Sequence, residues 1–289
     1  MPELPEVETV VRDLRAEVEG RRVVAVPHAA SSVIRYPAPE VLAALLPGGV
    51  VESVRRWGKY IVCGLGRDGA PVEGGLGGVP PVNEALIVHL GMTGHLEVCD
   101  PEAPARPHTH LRALLDDGRE LRFADPRRFG RVILGDPVAL RAARLIPALG
   151  VEPLGEEFTP ARLDAVLRTT TRTVKAALLD QRGVAGLGNI YVDEICHRAG
   201  VRPTRRCPRL TRAERAALHA AVVTVLEIAI RNRGSTIDDY RDLWNARGTN
   251  QEELRVYGRG GMPCMGCGTV LRRTVVAGRT TTHCPACQR

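Results

Sequence analysis

Eight cysteines stand in the chain, and four of them are spaced for one job. Cys264, Cys267, Cys284 and Cys287 form C-x2-C-x16-C-x2-C near the C-terminus. Four thiolates at this spacing match a tetrahedral zinc site, and the metal would supply folding energy that so short a segment lacks. Two disulfides are the alternative, disfavoured because no signal peptide marks the chain for an oxidising compartment. With cysteine at all four positions no coordination site is left for substrate, so one structural Zn2+ is expected. Between the pairs, the residues from Thr269 to Cys284 predict a hairpin turning at Ala277-Gly278, with Arg272, Arg273 and Arg279 exposed. The other end of the chain carries a second kind of chemistry. Removal of Met1 ahead of proline would expose a secondary amine on Pro2, and an α-amine titrates near ~8, so a usable fraction is unprotonated at neutral pH. Glu3 and Glu6 lie beside it, suited to acid–base work if they are desolvated. The plain alternative is an arm whose acids favour the start of a helix.

Three further motifs fit a phosphate-rich partner. Gly183 to Glu194 reads GVAGLGNIYVDE, glycines that allow close backbone approach followed by Asn189 at the cap of a helix. Free N–H groups at a helix start bind phosphate. HLGMTG (His89 to Gly94) and DPRRFG (Asp125 to Gly130) each set large side chains at a tight turn after a strand: Met92 in one, Arg127 and Phe129 in the other. Apolar wedges of this kind enter base stacks, although ordinary core packing would use the same residue types. The formal charge is +7, suited to a polyanion. Only two lysines, Lys59 and Lys175, stand against 38 arginines. A bias toward arginine codons explains the total but not why lysine persists at those two places.

The elements that must position these residues are readable in outline. Val7, Val10, Val11, Leu14 and Val18 form one stripe of a helix from Pro5 to Gly20. Short β-type runs follow at Val23–Val26, Val50–Leu65, Ala85–Leu90, Leu96–Val98, Leu111–Leu115, Leu121–Phe123 and Val132–Leu134, predicting a β-sandwich or barrel. Residues 64–82 are rich in glycine and proline and predict a surface loop. Prolines at 147, 153 and 160 mark a hinge, after which helices are expected at Pro160–Arg168, Thr173–Asp180, Asn189–Ala199 and Thr211–Arg231, with a short one at Asp238–Asn245. Thr211 and Glu214 make a capping box. At 289 residues and 44% apolar content, two domains plus a small appendage fit. No apolar run approaches membrane-spanning length, and the acidic N-terminus is unlike a signal peptide. A cytoplasmic monomer is the expectation.

Taken in order, MPELPEVETV, HLGMTGHL, DPRRFG, GLGNIYVDE, VYGR and the two CxxC pairs resemble the bacterial formamidopyrimidine-DNA glycosylase family, over the whole chain from Pro2 to Gln288. The resemblance implies an α+β multidomain protein. A β-sandwich domain with a starting helix (1–149) and a hinge (150–160) would lead to a helix–two-turns–helix domain (161–250) and a zinc hairpin (251–289), with duplex DNA in the cleft between the domains. It implies a base-excision repair enzyme that removes oxidised purines, 8-oxoguanine and formamidopyrimidines, and cleaves the strand. Pro2 would attack C1′ and form an imine, Glu3 would protonate the sugar ring oxygen, and Glu6 would support it. Met92, Arg127 and Phe129 would fill the void, with Arg127 reading the orphaned cytosine. Lys59, Asn189 and Arg279 match phosphate-contact positions, with Lys59 and Arg279 placed among the catalytic set; His108 falls among the DNA contacts, and Lys175 matches a lysine near the damaged base. Three features depart from the pattern: a longer loop at 64–82, His95, and Arg233 where glycine is expected, in a segment (Arg233–Gln251) that would cover the flipped base.

Competing readings are the same chemistry on oxidised pyrimidines, as in endonuclease VIII, and a catalytically silent protein that binds damaged DNA or acts as a transcription factor through its zinc hairpin. PELPEVE with DPRRFG counts against the first, and the intact Pro2-Glu3 pair against the second. A zinc-ribbon RNA binder is disfavoured by an aromatic content of 3%.

Overall fold

A computed structural model describes residues 1–30, 32–67 and 84–289. Two compact units account for the chain. The first comprises Met1–Ala148 with Arg233–Thr249, the second Leu149–Asn232 with Asn250–Arg289. Residues 233–249, assigned by sequence to the helical domain, cluster with the N-terminal unit, and the expected zinc-hairpin segment clusters with the helical one. The segment expected as a hinge is tied into the second unit, where Val151 bridges Val184 and Gly150 donates its N–H to the Gln181 carbonyl at 2.8 Å.

The first unit opens with helix α1 (Leu4–Val18). Pro5 lies in its first turn, where a missing N–H costs nothing, and all five residues of the apolar stripe are buried. Two sheets follow. One has the order β1–β7–β8–β6, built from β1 (Val23–Ala29), β6 (His95–Cys99), β7 (Thr109–Leu115) and β8 (Glu120–Ala124). The other has the order β2–β9–β5–β4–β3, from β2 (Ile34–Tyr36), β3 (Val50–Trp57), β4 (Tyr60–Gly66), β5 (Glu84–His89) and β9 (Arg131–Gly135). One apolar core takes Leu96, Leu111 and Phe123 from the first sheet, Val54, Ile61 and Val88 from the second, and the α1 stripe. That is the expected sandwich with its starting helix.

The run Val50–Leu65 is two strands. A hairpin interrupts it at Gly58-Lys59, with Gly58 at φ 58° as a two-residue turn of this kind requires, and Trp57 pairs with Tyr60. Residues 64–66, expected in the loop, are the end of β4, because each finds a partner on β3; residues 68–82 lie outside those described. Two short helices, α2 (Pro39–Leu45) and α3 (Pro137–Ala142), were not legible in the sequence.

The second unit holds α4 (Pro160–Arg168), α5 (Val174–Leu179), α6 (Asn189–Arg198) and α7 (Arg212–Arg231), each within a residue or two of its expected span. A two-stranded ribbon, β10 (Arg272–Val276) and β11 (Arg279–His283), closes the chain and turns at Ala277-Gly278, with φ of 50° and 71°. No helix forms at Asp238–Asn245. The Asp242 carboxylate there accepts the N–H groups of Trp244 and Ala246 at 3.0 and 2.8 Å, a local closure that competes with helical bonding. No helix among the described residues is long and apolar enough to cross a membrane.

The Thr211 hydroxyl accepts the Glu214 N–H at 3.2 Å and the Glu214 carboxylate accepts the Thr211 N–H at 2.7 Å, the capping box in full. Thr211→Ala is expected to cost about 1 kcal/mol, read as a lower melting temperature; an unchanged transition would show that packing alone starts α7.

Candidate active site and nucleic-acid interface

The first unit carries the N-terminal group. Pro2 is buried, and the carboxylates beside it are desolvated, Glu3 at 3% and Glu6 at 1% exposure. Glu3 caps α1, and its N–H donates to Glu6 Oε2 at 2.8 Å. The other oxygen, Oε1, accepts the N–H of Ser235 at 2.7 Å. Two backbone donors therefore fix both oxygens of the Glu6 carboxylate at the start of α1.

Lys59 sits in the β3–β4 turn, largely buried. Its ammonium acts on His89, which burial, together with the Lys59 and Arg131 cations, pushes down to about 4. The neutral imidazole accepts the Gly91 N–H on Nδ1 at 3.0 Å, and its ring lies 4.8 Å from that of Tyr60. This turn presents Met92, 36% exposed. Gly91 is obligatory there: φ is +65°, and a Cβ would come within 2.6 Å of the Gly130 nitrogen.

Gly130 belongs to the second wedge turn, which closes around the buried carboxylate of Asp125. The Gly130 N–H donates to Asp125 Oδ2 at 2.6 Å, the Thr93 hydroxyl donates to Oδ1 at 2.5 Å, and the Arg127 N–H also points to Oδ1 at 3.3 Å. The two turns are thus one rigid object. From it Phe129 projects at 52% exposure, with the Arg127 guanidinium 5.0 Å above its ring. His108 is exposed at φ 62°, and its carbonyl accepts the Asp125 N–H at 3.0 Å. Met92, Arg127, Phe129 and His108 are side chains on the surface, and none of the three wedge residues is spent on the core.

The second unit carries the remaining candidates. Asn189 is the first residue of α6, with Gly188 rather than Asn189 as its cap, and its amide donates to the Thr280 carbonyl at 3.1 Å. Gln181 shapes the glycine loop before it: Nε2 donates to the carbonyls of Leu179 and Leu187, and Oε1 accepts the Gly186 N–H. Arg279 is exposed just past the hairpin turn.

Lys175 lies in the interior of the second unit. It is completely buried, its Nζ lies 2.7 Å from Asp193 Oδ1, and it also donates to the Thr280 carbonyl at 3.2 Å. Asp193 Oδ2 accepts the Thr282 N–H at 2.9 Å. In this arrangement the ammonium braces the hairpin strand that bears Arg279. Burial raises Asp193 to about 6 despite the cation.

The VDE motif continues this bracing. Burial also raises Glu194, which accepts three consecutive N–H groups, from Arg255, Val256 and Tyr257, at 2.8–2.9 Å. VYGR is thereby fastened to α6. Sequence reasoning assigned no task to Asp125, Gln181, Asp193, Glu194 or Ser235. An Asx-type turn was the available clue for Asp125; the others act on partners remote in sequence.

The Sγ atoms of Cys264, Cys267, Cys284 and Cys287 lie within 4.8 Å of one another, and all four are free thiols. Cys264–Cys287 is 4.0 Å and Cys267–Cys284 3.5 Å. Tetrahedral coordination at about 2.3 Å per bond places sulfurs about 3.8 Å apart, so the four fit a zinc ion. The Cys287 N–H donates to Cys284 Sγ at 3.4 Å, the kind of bond that stabilises a thiolate.

A buried Pro2 flanked by two desolvated acids, with surface wedges and a braced basic hairpin, suits a DNA-processing enzyme better than a plain binding module, and comparison with known proteins makes the class definite. Two family models match: the formamidopyrimidine-DNA glycosylase N-terminal domain over residues 1–132, and its H2TH domain over residues 149–241. The chain belongs to the formamidopyrimidine-DNA glycosylase family. A formamidopyrimidine-DNA glycosylase of Symbiobacterium thermophilum is 44% identical, with all of this chain and 89% of that protein covered. The Lactococcus lactis Fpg in complex with DNA containing an abasic site superposes with a TM-score of 0.86 at 33% identity, covering 99% of each chain. MutM in complex with DNA containing carbocyclic 8-oxo-G gives 0.85 at 33% identity, covering both chains fully.

Two outcomes are expected. Chelation of the metal should melt the hairpin and lower the melting temperature, with readdition of Zn2+ restoring it; a transition indifferent to chelator would contradict the metal assignment. The second concerns pH. His95, like His89, is pushed down to about 4, by burial and by Arg106 and Arg241 against the opposing Glu97 and Asp242. Both imidazoles are neutral when folded but ionise near ~6.5 when unfolded. Their contribution to stability is complete above pH 6.5 and is lost as pH falls toward 4. The melting temperature should drop over that interval, less steeply in His95→Asn; equal slopes would contradict a buried neutral His95.

Proposed function

We propose that this chain is a bifunctional base-excision repair enzyme that removes oxidised purines from duplex DNA and cleaves the strand through an N-terminal proline imine. The observation that carries the chemistry is the buried Pro2 set against two desolvated carboxylates, one of them fixed by two backbone N–H groups. Family membership supports the glycosylase and lyase activities and the substrate class: relatives are named for formamidopyrimidine excision, and neighbours hold abasic and 8-oxo-G DNA.

With Met1 removed, the Pro2 nitrogen attacks C1′ of the damaged nucleotide. The N–C1′ bond forms as the bond to the base breaks, and the base leaves with a proton. Glu3 protonates the sugar ring oxygen, the ring opens, and a cationic imine joins Pro2 to C1′. That imine acidifies C2′, so loss of a C2′ proton expels the 3′ phosphate, and a second elimination expels the 5′ phosphate. Glu6 holds the Glu3 backbone in place throughout. Lys59, Asn189 and Arg279 contact phosphates, with Lys59 and Arg279 serving the reacting nucleotide. Met92, Arg127 and Phe129 occupy the space of the extruded base, whose unstacking costs a few kcal/mol, and Arg127 reads the widowed cytosine. His108 contacts the backbone. One structural zinc ion in the cysteine cluster keeps the hairpin folded. The substrate places the enzyme at the bacterial nucleoid, in the cytoplasm.

Incision of duplexes carrying 8-oxoguanine, formamidopyrimidine or an oxidised pyrimidine should favour the two purine lesions at least tenfold. Pro2→Gly should lose at least 100-fold in base excision while duplex binding holds within threefold. Equal incision of the pyrimidine lesion would favour the endonuclease VIII reading, and full activity of Pro2→Gly would overturn the mechanism.

A further inference from the structure

Residues 233–249 join the first unit from far along the chain, and Arg233 begins the segment in a conformation that disfavours side chains, φ 58°. Something must offset that conformation, and the guanidinium shows what. Nη2 donates to Asp13 Oδ2 at 2.6 Å, and Nε donates to Asp242 Oδ2 at 2.9 Å. Asp242 is buried, and its second oxygen closes the turn at Trp244 and Ala246. Arg233 is thus the bolt between a folded turn and helix α1.

What the bolt holds lies two turns back along the same helix. Asp13 and Glu6 are seven residues apart and share one face. Beside Glu6 the segment runs backbone-first: Gly234 has φ 77°, and a Cβ on it would come within 2.8 Å of Glu6 Oε1. Ser235 then donates its N–H to that oxygen at 2.7 Å, and the Tyr240 hydroxyl donates to the Glu6 carbonyl at 3.4 Å. Tyr240 and Leu243 sink into the core beneath α1.

We propose that Arg233 is a positioning residue for the N-terminal nucleophile: its clamp on Asp13 and Asp242 sets the register of the segment on α1, which keeps the Ser235 N–H on Glu6 and, through Glu6, the Glu3 backbone beside Pro2. This rests on Pro2 being the nucleophile. The planar fork of arginine reaches both acids at once, which a lysine ammonium does only in part.

The test is single-turnover borohydride trapping of the full-length zinc-loaded protein on a duplex containing an abasic site, with the Kd for the same duplex measured alongside. Arg233→Gly suits the purpose because glycine accepts φ 58°, so only the side chain is lost. It should trap at least tenfold more slowly with Kd within twofold, and Arg233→Lys should recover part of the rate. Acrylamide quenching of tryptophan fluorescence should rise in Arg233→Gly, since Trp244 is 55% exposed on the segment and the other tryptophan, Trp57, is buried. Trapping at the wild-type rate overturns the proposal, as does a rate loss accounted for by weaker binding. If Arg233→Gly fails to fold, Asp13→Asn decides by the same criteria. Failure of the wild type to trap would instead remove the Pro2 reading on which the proposal stands.

Discussion

A buried carboxylate that accepts backbone N–H groups holds several of the irregular segments of this protein still. Glu6 takes Glu3 and Ser235, Asp125 takes Arg127 and Gly130, Asp193 takes Thr282, and Glu194 takes three donors in a row. Hydrogen bonds to a charged group contribute about 1.5–3 kcal/mol each, and an ionised carboxylate deprived of them in the interior is far costlier than the bond itself. Such a segment is held in one arrangement or not at all. Regular secondary structure could not provide this, because the candidate site residues lie on turns and at helix starts, where backbone donors have no partner of their own.

The consequence is that flexible-looking motifs are rigid mounts. Met92 and Phe129 are apolar and open to solvent, an arrangement that burial energetics oppose unless a partner covers them. They stay poised because Gly91 and Gly130 meet backbone to backbone and Asp125 fastens both turns. Arg279 rides on a two-stranded ribbon too small for a core of its own. Lys175 and Asp193 brace its strand from within, and four cysteines gather at its base. The two lysines in an arginine-rich chain are both buried, Lys59 in the β3–β4 turn and Lys175 against Asp193.

Much of this was legible from periodicity and spacing. The α1 stripe, the Thr211–Glu214 box, the turn at Ala277-Gly278 and the cysteine set are local patterns, and local physics settles them. The gap between β3 and β4 escaped notice because Gly58-Lys59 interrupts a continuous apolar run without a familiar turn dipeptide. Asp238–Asn245, expected as a short helix, does not form one, because Asp242 spends its carboxylate on its own neighbours. The return of residues 233–249 to the first unit, the Ser235 bond to Glu6 and the burial of Lys175 against Asp193 are pairings between distant parts of the chain, for which one sequence holds no periodic trace. The motifs therefore named the candidate side chains while leaving silent the carboxylates that position them.

The proposed mechanism stands or falls on which atom joins the DNA. Wild-type protein, shown by mass to lack Met1, would be reduced with borohydride while acting on a duplex carrying 8-oxoguanine opposite cytosine. The adduct would then be digested and mapped by mass spectrometry. The account predicts the nucleotide remnant on the N-terminal peptide, at the Pro2 nitrogen. A remnant on Lys59, on Lys175 or on no residue at all would contradict it.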